Sequence, residues 1–152
     1  MNFLTHAIEL AINSAKKNGG PFGAVVVKDG KIIGEGHNQV TVNCDPSAHA
    51  EIIAIRAACK HINDHQLTDC TLYSSCEPCP MCMSAIYWAR IPKLVYAATA
   101  TDAAQAGFDD QFIVDELNKP YAQRSIIIEH SEHPMSNSSF EQWLSNSSRK
   151  EY

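Results

Sequence analysis

Two short motifs carry side chains that could bind a metal ion, His49-Ala50-Glu51 and Cys79-Pro80-Met81-Cys82. If Pro80 is the first residue of a helix, both cysteine sulfurs lie on one face near its N-terminus, where the helix dipole favours thiolates. One imidazole and two thiolates form a zinc ligand set that leaves the fourth tetrahedral position for water, as in catalytic zinc sites. The residue types therefore predict a catalytic zinc centre held by His49, Cys79 and Cys82.

Glu51 is the predicted proton acceptor of this centre. Zinc lowers the pKa of a bound water from about 15.7 towards about 7, so a nearby base must take the released proton. Side chains two positions apart on an ideal helix diverge by about 200°, however. His49 and Glu51 can therefore face the same ion only if His49 lies at the non-helical entry to the helix.

The remaining cysteines leave alternatives open. Cys76 could act as a fourth sulfur ligand and close the site around a purely structural ion. A CxxC pair alone is also typical of structural zinc or redox sites. Cys44, Cys59 and Cys70 are most simply small apolar residues of a reduced protein.

Length, composition and charge exclude several classes of protein. A chain of 152 residues with 45% hydrophobic and 19% charged residues is typical of one globular domain, and no apolar run has the length of a membrane helix. Twelve Lys and Arg against seventeen Asp and Glu, with no basic cluster, argue against nucleic-acid binding. The N-terminus lacks the pattern of a signal peptide, which favours a cytoplasmic, reducing location.

The elements that must position the motifs begin with a helix and a hairpin. Helical spacing of apolar residues from Phe3 to Lys17 predicts the first helix. The runs 24–27 and 31–33, joined by Asp29-Gly30, predict two antiparallel strands. We expect the second helix to open at Pro46-Ser47 and to extend to about Lys60.

The second half of the chain predicts a βαβ unit. A strand at 71–73, a helix from Pro80 to Arg90 and a strand at 94–98 imply parallel pairing, so the sheet is mixed and the fold class is α/β. Ser125-Ile126-Ile127-Ile128 predicts a further strand. The spacing of Ser138 and Glu141 predicts a capping box before a last helix.

Taken together, the two motifs match the H-x-E…P-C-x-x-C pattern of zinc deaminases. Over nearly its whole length the chain resembles the cytidine deaminase superfamily and, within it, the small zinc-dependent bacterial guanine deaminases. The resemblance is carried by Gly20-Pro21-Phe22-Gly23-Ala24, Asp45-Pro46-Ser47-Ala48-His49-Ala50-Glu51, Ser75-Cys76-Glu77-Pro78-Cys79-Pro80-Met81-Cys82, Ala85-Ile86-Tyr87-Trp88-Ala89-Arg90, Ala106-Gly107-Phe108-Asp109-Asp110 and Lys150-Glu151-Tyr152. The Ala106–Asp110 segment and the terminal tyrosine favour guanine as the substrate.

This resemblance implies a single zinc deaminase domain over residues 1–152. The family fold is a three-layer α/β/α sandwich around a five-stranded mixed sheet. Its members form homodimers in which the C-terminal segment, about residues 137–152 here, is exchanged. Tyr152 of one chain would then help to close the substrate pocket of the other.

The resemblance also implies the reaction. Guanine would be hydrolysed at C2 to xanthine and ammonia, with one zinc ion per subunit and a water or hydroxide in its fourth position. His49, Cys79 and Cys82 would be the zinc ligands, Glu51 would carry the proton to the purine, and Cys76 would not be a ligand.

Substrate-binding residues carry over from the same resemblance. Asn38 would hydrogen-bond the base, and Asp110 would accept from its amino edge and assist the departure of ammonia, with Asp109 as an alternative. Phe22 and Trp88 would pack around the ring. The simpler interpretations are a turn residue for Asn38, a solvated carboxylate at a helix start for Asp110, and core packing for the two aromatic residues.

Three competing functions remain at this point. Deamination of adenosine in tRNA uses the same zinc motifs, although the acidic charge argues against it. Other amino-azines, such as cytosine or triazines, are alternative substrates because the zinc chemistry does not select the ring. A non-enzymatic zinc module that binds a protein partner is the alternative from a different class, and it requires four protein ligands.

Overall fold

The computed structural model describes residues 2–152, which form two compact units, residues 2–112 and residues 113–152. All the strands of the described residues belong to the first unit. The organisation of residues 1–152 as one functional domain stays a prediction.

The first unit contains a four-stranded mixed sheet in the order β2-β1-β3-β4. Its strands are β1 (Gly23–Lys28), β2 (Lys31–His37), β3 (Cys70–Cys76) and β4 (Lys93–Ala98). Strand β1 is antiparallel to both of its neighbours, and β3 and β4 are parallel. Asp29 and Gly30 both have positive φ, 49° and 71°, as a tight hairpin turn of this kind requires. The predicted hairpin and the predicted parallel pair are confirmed.

Seven α-helices and one 3₁₀ helix complete the described chain. They are α1 (Phe3–Lys16), α2 (Val40–Asn43), α3 (Ala50–Ile62), α4 (Pro80–Trp88), α5 (Ala100–Gln105), α6 (Gln111–Asn118), α7 (Ser138–Ser145) and the 3₁₀ turn Tyr121–Gln123. Helices α2 and α5 were not predicted from the sequence, and α6 was anticipated only in the interpretation of Asp110 as a carboxylate at a helix start.

Helix α3 begins later than predicted. The expected start at Pro46-Ser47 is wrong, because the Asp45 carboxylate accepts hydrogen bonds from both the backbone N–H and the hydroxyl of Ser47. These bonds close a turn that competes with a helical conformation. The helix starts only after His49.

The two faces of the sheet are covered by different helices. Side chains alternate along β1, so Val25 and Val27 pack against Ala7 of α1 on one face. Ala24 and Val26 belong instead to the cluster that contains three alanines of α3, at positions 50, 54 and 58, and Ile86 of α4. Helices therefore cover both faces of the sheet, and the predicted α/β class is confirmed.

Helix α3 lies unusually close to β2. A Cβ atom at Gly34 would lie 2.4 Å from the carbonyl oxygen of Ala54, and one at Gly36 would lie 2.4 Å from that of Ala50. These two glycines let the helix backbone rest directly on the strand. The contact fixes the distance between α3 and the sheet. It therefore also fixes the position of His49 at the N-terminus of this helix.

Two predictions about the C-terminal part are wrong. The predicted fifth strand at Ser125–Ile128 is not a strand within residues 2–152, because no other described strand pairs with it and an unpaired strand leaves its backbone groups unsatisfied. The predicted capping box at Ser138 and Glu141 is also absent, since Asn137 is the N-cap of α7 and its side chain makes no cap bond. A capping box instead joins Thr99 and Asp102 at the start of α5.

The second unit exposes much apolar surface. Ile126 and Ile127 are 72% and 88% exposed, and α7 exposes Phe140, Leu144 and part of Trp143. Exposed apolar patches of this kind mark interaction surfaces.

Across residues 2–152, no helix combines the length and the apolar character needed to cross a membrane. The six cysteines are all free.

Candidate metal centre

His49 lies at the entry to α3 and not inside the helix. It is the N-cap residue with φ −73° and ψ 154°, an extended conformation. Glu51 lies in the first turn of the same helix. The geometric condition set by the sequence is therefore met, because the extended residue turns the imidazole towards the side on which Glu51 lies.

The cysteine pair is built in the same way at the start of α4. Cys79 is an extended N-cap residue with φ −65° and ψ 168°, and Pro80 is the first helical residue, as predicted. Cys82 lies in the first turn and is fully buried. The two helices thus begin in the same way, each with a predicted ligand residue as its N-cap.

The three predicted ligands converge. The Sγ atoms of Cys79 and Cys82 each lie 3.5 Å from Nδ1 of His49, and all three ligand atoms lie within 4.8 Å of one another. Tetrahedral zinc with ordinary bond lengths places a sulfur and a nitrogen ligand about 3.6 Å apart. The residues present therefore fit zinc.

Charge at the site also favours a dication. Hydrogen bonds from the Cys82 thiol and the His49 ring lower the pKa of Cys79 to about 4, against the effect of burial. The hydrogen bond to this thiolate in turn raises the pKa of Cys82. Both sulfurs can be thiolates together only when a cation balances their charge.

Glu51 is held beside the ligands. It is only 5% exposed, and its Oε1 accepts a hydrogen bond from the Ser74 hydroxyl at 2.9 Å while the Cys82 sulfur lies 3.4 Å from Oε2. Burial raises the pKa of this carboxyl. Ser74 was not predicted from the sequence, although a serine at a buried position in the alternation of β3 signals a polar partner.

Cys76 lies outside the ligand group. Its sulfur donates to the backbone carbonyl of Thr99 at 3.6 Å, and burial raises the pKa of its thiol. The described residues therefore provide three protein ligands and not the four that a closed site needs.

The predicted base-binding residue Asn38 is buried at the end of β2. Its side-chain oxygen accepts from the backbone N–H of Val40 at 3.3 Å. Within residues 2–152 its amide nitrogen makes no hydrogen bond. The side chain can therefore donate to a ligand.

Asp110 lies near the centre, and Phe22 packs against a second aromatic ring. Burial raises the pKa of Asp110, and the charge of Cys79 raises it further, which places this carboxylate within electrostatic range of the ligands. Asp109 instead accepts a hydrogen bond from the backbone N–H of Gln111. Phe22 packs edge-on against Phe108 with ring centroids 5.0 Å apart, a contact that was not predicted from the sequence.

Two predicted pocket residues are largely exposed in the single chain. Trp88, the last residue of α4, is 61% exposed, with the Arg90 guanidinium 5.9 Å from the centre of its ring. Tyr152 belongs to the second unit and is 73% exposed. Their roles in substrate binding stay predictions.

Comparison with known families agrees with this geometry. The sequence pattern of the cytidine and deoxycytidylate deaminase zinc-binding region matches residues 1–98, which include the three predicted ligands and Glu51. The chain belongs to this deaminase family.

Individual relatives within the family differ in substrate. The chain is 53% identical to the guanine deaminase of Bacillus subtilis, over 99% of this chain and 97% of that protein. The X-ray structure of the Bacillus subtilis enzyme matches with a TM-score of 0.97 at 52% identity, covering 100% and 99% of the two chains. The guanine deaminase of Nitrosomonas europaea matches with a TM-score of 0.68 at 34% identity, covering 71% and 63%. The tRNA-specific adenosine deaminase of Aquifex aeolicus is 43% identical over 63% of this chain and 64% of its own length.

We predict that replacing Cys82 by alanine abolishes stoichiometric zinc binding, because it removes one of three protein ligands and leaves the Cys79 thiolate without its thiol donor. Metal analysis of the purified variant would measure the loss. Cys76→Ala is the matched control in the same segment and should keep its zinc. Loss of zinc in the Cys76 variant alone would contradict the three-ligand assignment.

Proposed function

We propose that this protein hydrolyses guanine to xanthine and ammonia, using one zinc ion per subunit with an open position for water. The observation that carries the proposal is the convergence of His49, Cys79 and Cys82 beside the buried carboxyl of Glu51. The near full-length similarity to a guanine deaminase supports guanine as the substrate.

Proton transfer is the task of Glu51. Bound zinc supplies the Lewis acidity that activates water as the nucleophile for C2 of the purine. The Glu51 carboxylate would take a proton from the attacking water and deliver it to a ring nitrogen. It would then carry the proton of the new C2 hydroxyl to the amino nitrogen, so that the C2–N bond breaks and ammonia leaves. The Ser74 hydroxyl holds Oε1, and burial excludes bulk water, so the carboxyl stays aimed at the reacting atoms.

Other side chains bind and orient the base. The free amide nitrogen of Asn38 donates to an acceptor atom of the purine, while its oxygen stays on the backbone of Val40. The Asp110 carboxylate accepts from the amino-bearing edge and assists the departure of ammonia. Asp110 suits this role better than Asp109, whose carboxylate already caps the start of α6. Phe22 and Trp88 contact the faces of the ring.

We predict that Glu51→Gln lowers kcat by about 10²–10⁴-fold while zinc content is unchanged, because an amide keeps the shape but cannot carry a proton. Xanthine formation and metal analysis on the same preparation measure the two effects. Glu35→Gln, at an exposed position on β2, is the matched control and should keep full activity. Combined loss of zinc and activity in the Glu51 variant would make Glu51 structural.

The proposed unit of function is a homodimer in which the C-terminal segments are exchanged. The first unit has an apolar groove of about 690 Å³, bounded by side chains of α1, β4 and α5 that include Ile8, Ala11, Ile12, Ala97 and Ala103. The second unit exposes apolar side chains on α7, where Phe140 and Leu144 are both 65% exposed. We propose that the groove of one protomer receives α7 of its partner, which brings Tyr152 to the partner's pocket.

Mixing two inactive variants tests this exchange. We expect a chain with Glu51→Gln and a chain that lacks residues 147–152 each to have little activity. In a mixed dimer, the intact Glu51 of the truncated chain would receive Tyr152 from the other chain. Refolding the two chains together should therefore restore about a quarter of the wild-type turnover, since half of the dimers are mixed and each has one complete site.

The control is the same mixture kept below the concentration at which dimers form. A truncated chain that is fully active alone would contradict the role of Tyr152. A mixture that stays inactive although mixed dimers are present would contradict the exchange between subunits.

A further inference from the structure

Gly20 lies directly against the side chain of Asn38. A Cβ atom built on Gly20 would lie 2.7 Å from Cγ of Asn38, 2.8 Å from its Oδ1 and 3.2 Å from its Cβ. Cβ atoms in proteins essentially never approach another heavy atom to less than 3.0 Å. Any residue larger than glycine at this position would therefore displace the amide.

The backbone conformation does not explain the glycine. The glycines with positive φ among the described residues are Gly30 and Gly107, so Gly20 adopts a conformation that other residues also reach. The constraint at Gly20 is therefore the room for a side chain and not the backbone conformation. A substitution at Gly20 would act by displacing the Asn38 side chain.

The neighbour has limited freedom. The backbone N–H of Asn38 donates to the carbonyl of Phe22 at 3.0 Å, and the buried hydroxyl of Ser14 donates to the Asn38 carbonyl at 3.3 Å. These bonds hold the backbone of Asn38 in place. A Cβ atom at Gly20 would therefore be relieved by movement of the Asn38 side chain, which has a single weak hydrogen bond at Oδ1.

We infer that Gly20 is a positioning residue that holds the Asn38 amide in its substrate-binding orientation. The contact with Gly20 and the hydrogen bond from Val40 together keep Oδ1 on the protein and present Nδ2 as a donor. The Nδ2 donor of Asn38 would select a purine that presents a hydrogen-bond acceptor to it. The inference rests on the proposed function, in which Asn38 contacts the base.

The test is a double-mutant cycle on guanine kinetics. Gly20→Ala should raise KM by about three- to tenfold, the effect of losing one neutral hydrogen bond to substrate. kcat should change less than KM, and zinc content should not change. In an Asn38→Ala background the same Gly20 substitution should add no further increase, because the displaced amide is already gone.

Gly30→Ala is the control for general destabilisation. Gly30 lies in the hairpin turn with φ +71°, and a Cβ atom added there would meet no atom within 4 Å, so this variant strains the turn without touching the site. It should lower the melting temperature while KM stays at the wild-type value.

Each outcome separates the inference from the proposed function. If Asn38→Ala raises KM but Gly20→Ala does not, the inference is overturned and the role of Asn38 stands. If Asn38→Ala leaves KM unchanged, both the role of Asn38 and the inference about Gly20 are overturned. Guanine turnover by the wild-type protein would still support the proposed reaction.

A second variant covers the case in which Gly20→Ala yields only unfolded chain. Combining it with Asn38→Gly removes the side chain that the new Cβ would meet. Recovery of folded protein in the double variant supports the contact as the cause. A double variant that stays unfolded overturns it.

Discussion

The structure depends on two helix N-termini that meet at one point. Helices α3 and α4 each begin with an extended N-cap residue, His49 and Cys79, and each adds one functional side chain from its first turn. The positive ends of both helices favour thiolates at this position. Hydrogen bonds from Cys82 and His49 lower the pKa of Cys79, whereas the hydrogen bond to Cys79 raises the pKa of Cys82, so two thiolates together require a nearby cation. A metal ion bound by these residues would therefore stabilise the fold that holds them.

This meeting point is set by packing at some distance from it. Helix α3 rests on β2 through Gly34 and Gly36, and strand β3 runs directly into the segment that carries Cys79. Ser74 of β3 holds Glu51 of α3, which couples the sheet to the helix inside the site. The Glu51 carboxylate is thus positioned by both elements.

The sequence predicted the parts of this arrangement that local chemistry decides. Pro80 marked the start of α4, Asp29-Gly30 marked the hairpin, and the residue types of the ligand set indicated zinc. The start of α3 was predicted too early because a side-chain turn at Asp45 overrides the helical tendency of the residues after it. The distance between His49 and the cysteines depends on tertiary contacts, and no spacing rule supplies it.

The C-terminal region shows a different limit. Three consecutive isoleucines after Ser125 have the composition of a strand, but a strand also needs a partner, and the described chain supplies none. The last helix was predicted and is α7, but the capping box expected at its start is absent. Helix α5 is short, and its local signal is the capping box formed by Thr99 and Asp102, which was not recognised in the sequence. In the C-terminal region, sequence patterns thus identified apolar segments but not the partners of those segments.

A zinc titration of guanine turnover tests the proposed zinc catalysis most directly. Protein freed of metal by a chelator would be reloaded with known amounts of zinc, and xanthine and ammonia would be measured at each zinc content. Zinc catalysis requires activity that rises in proportion to bound zinc and stops rising at one ion per chain. Fully loaded protein that forms no xanthine, or protein that keeps its turnover after complete removal of zinc, would contradict it.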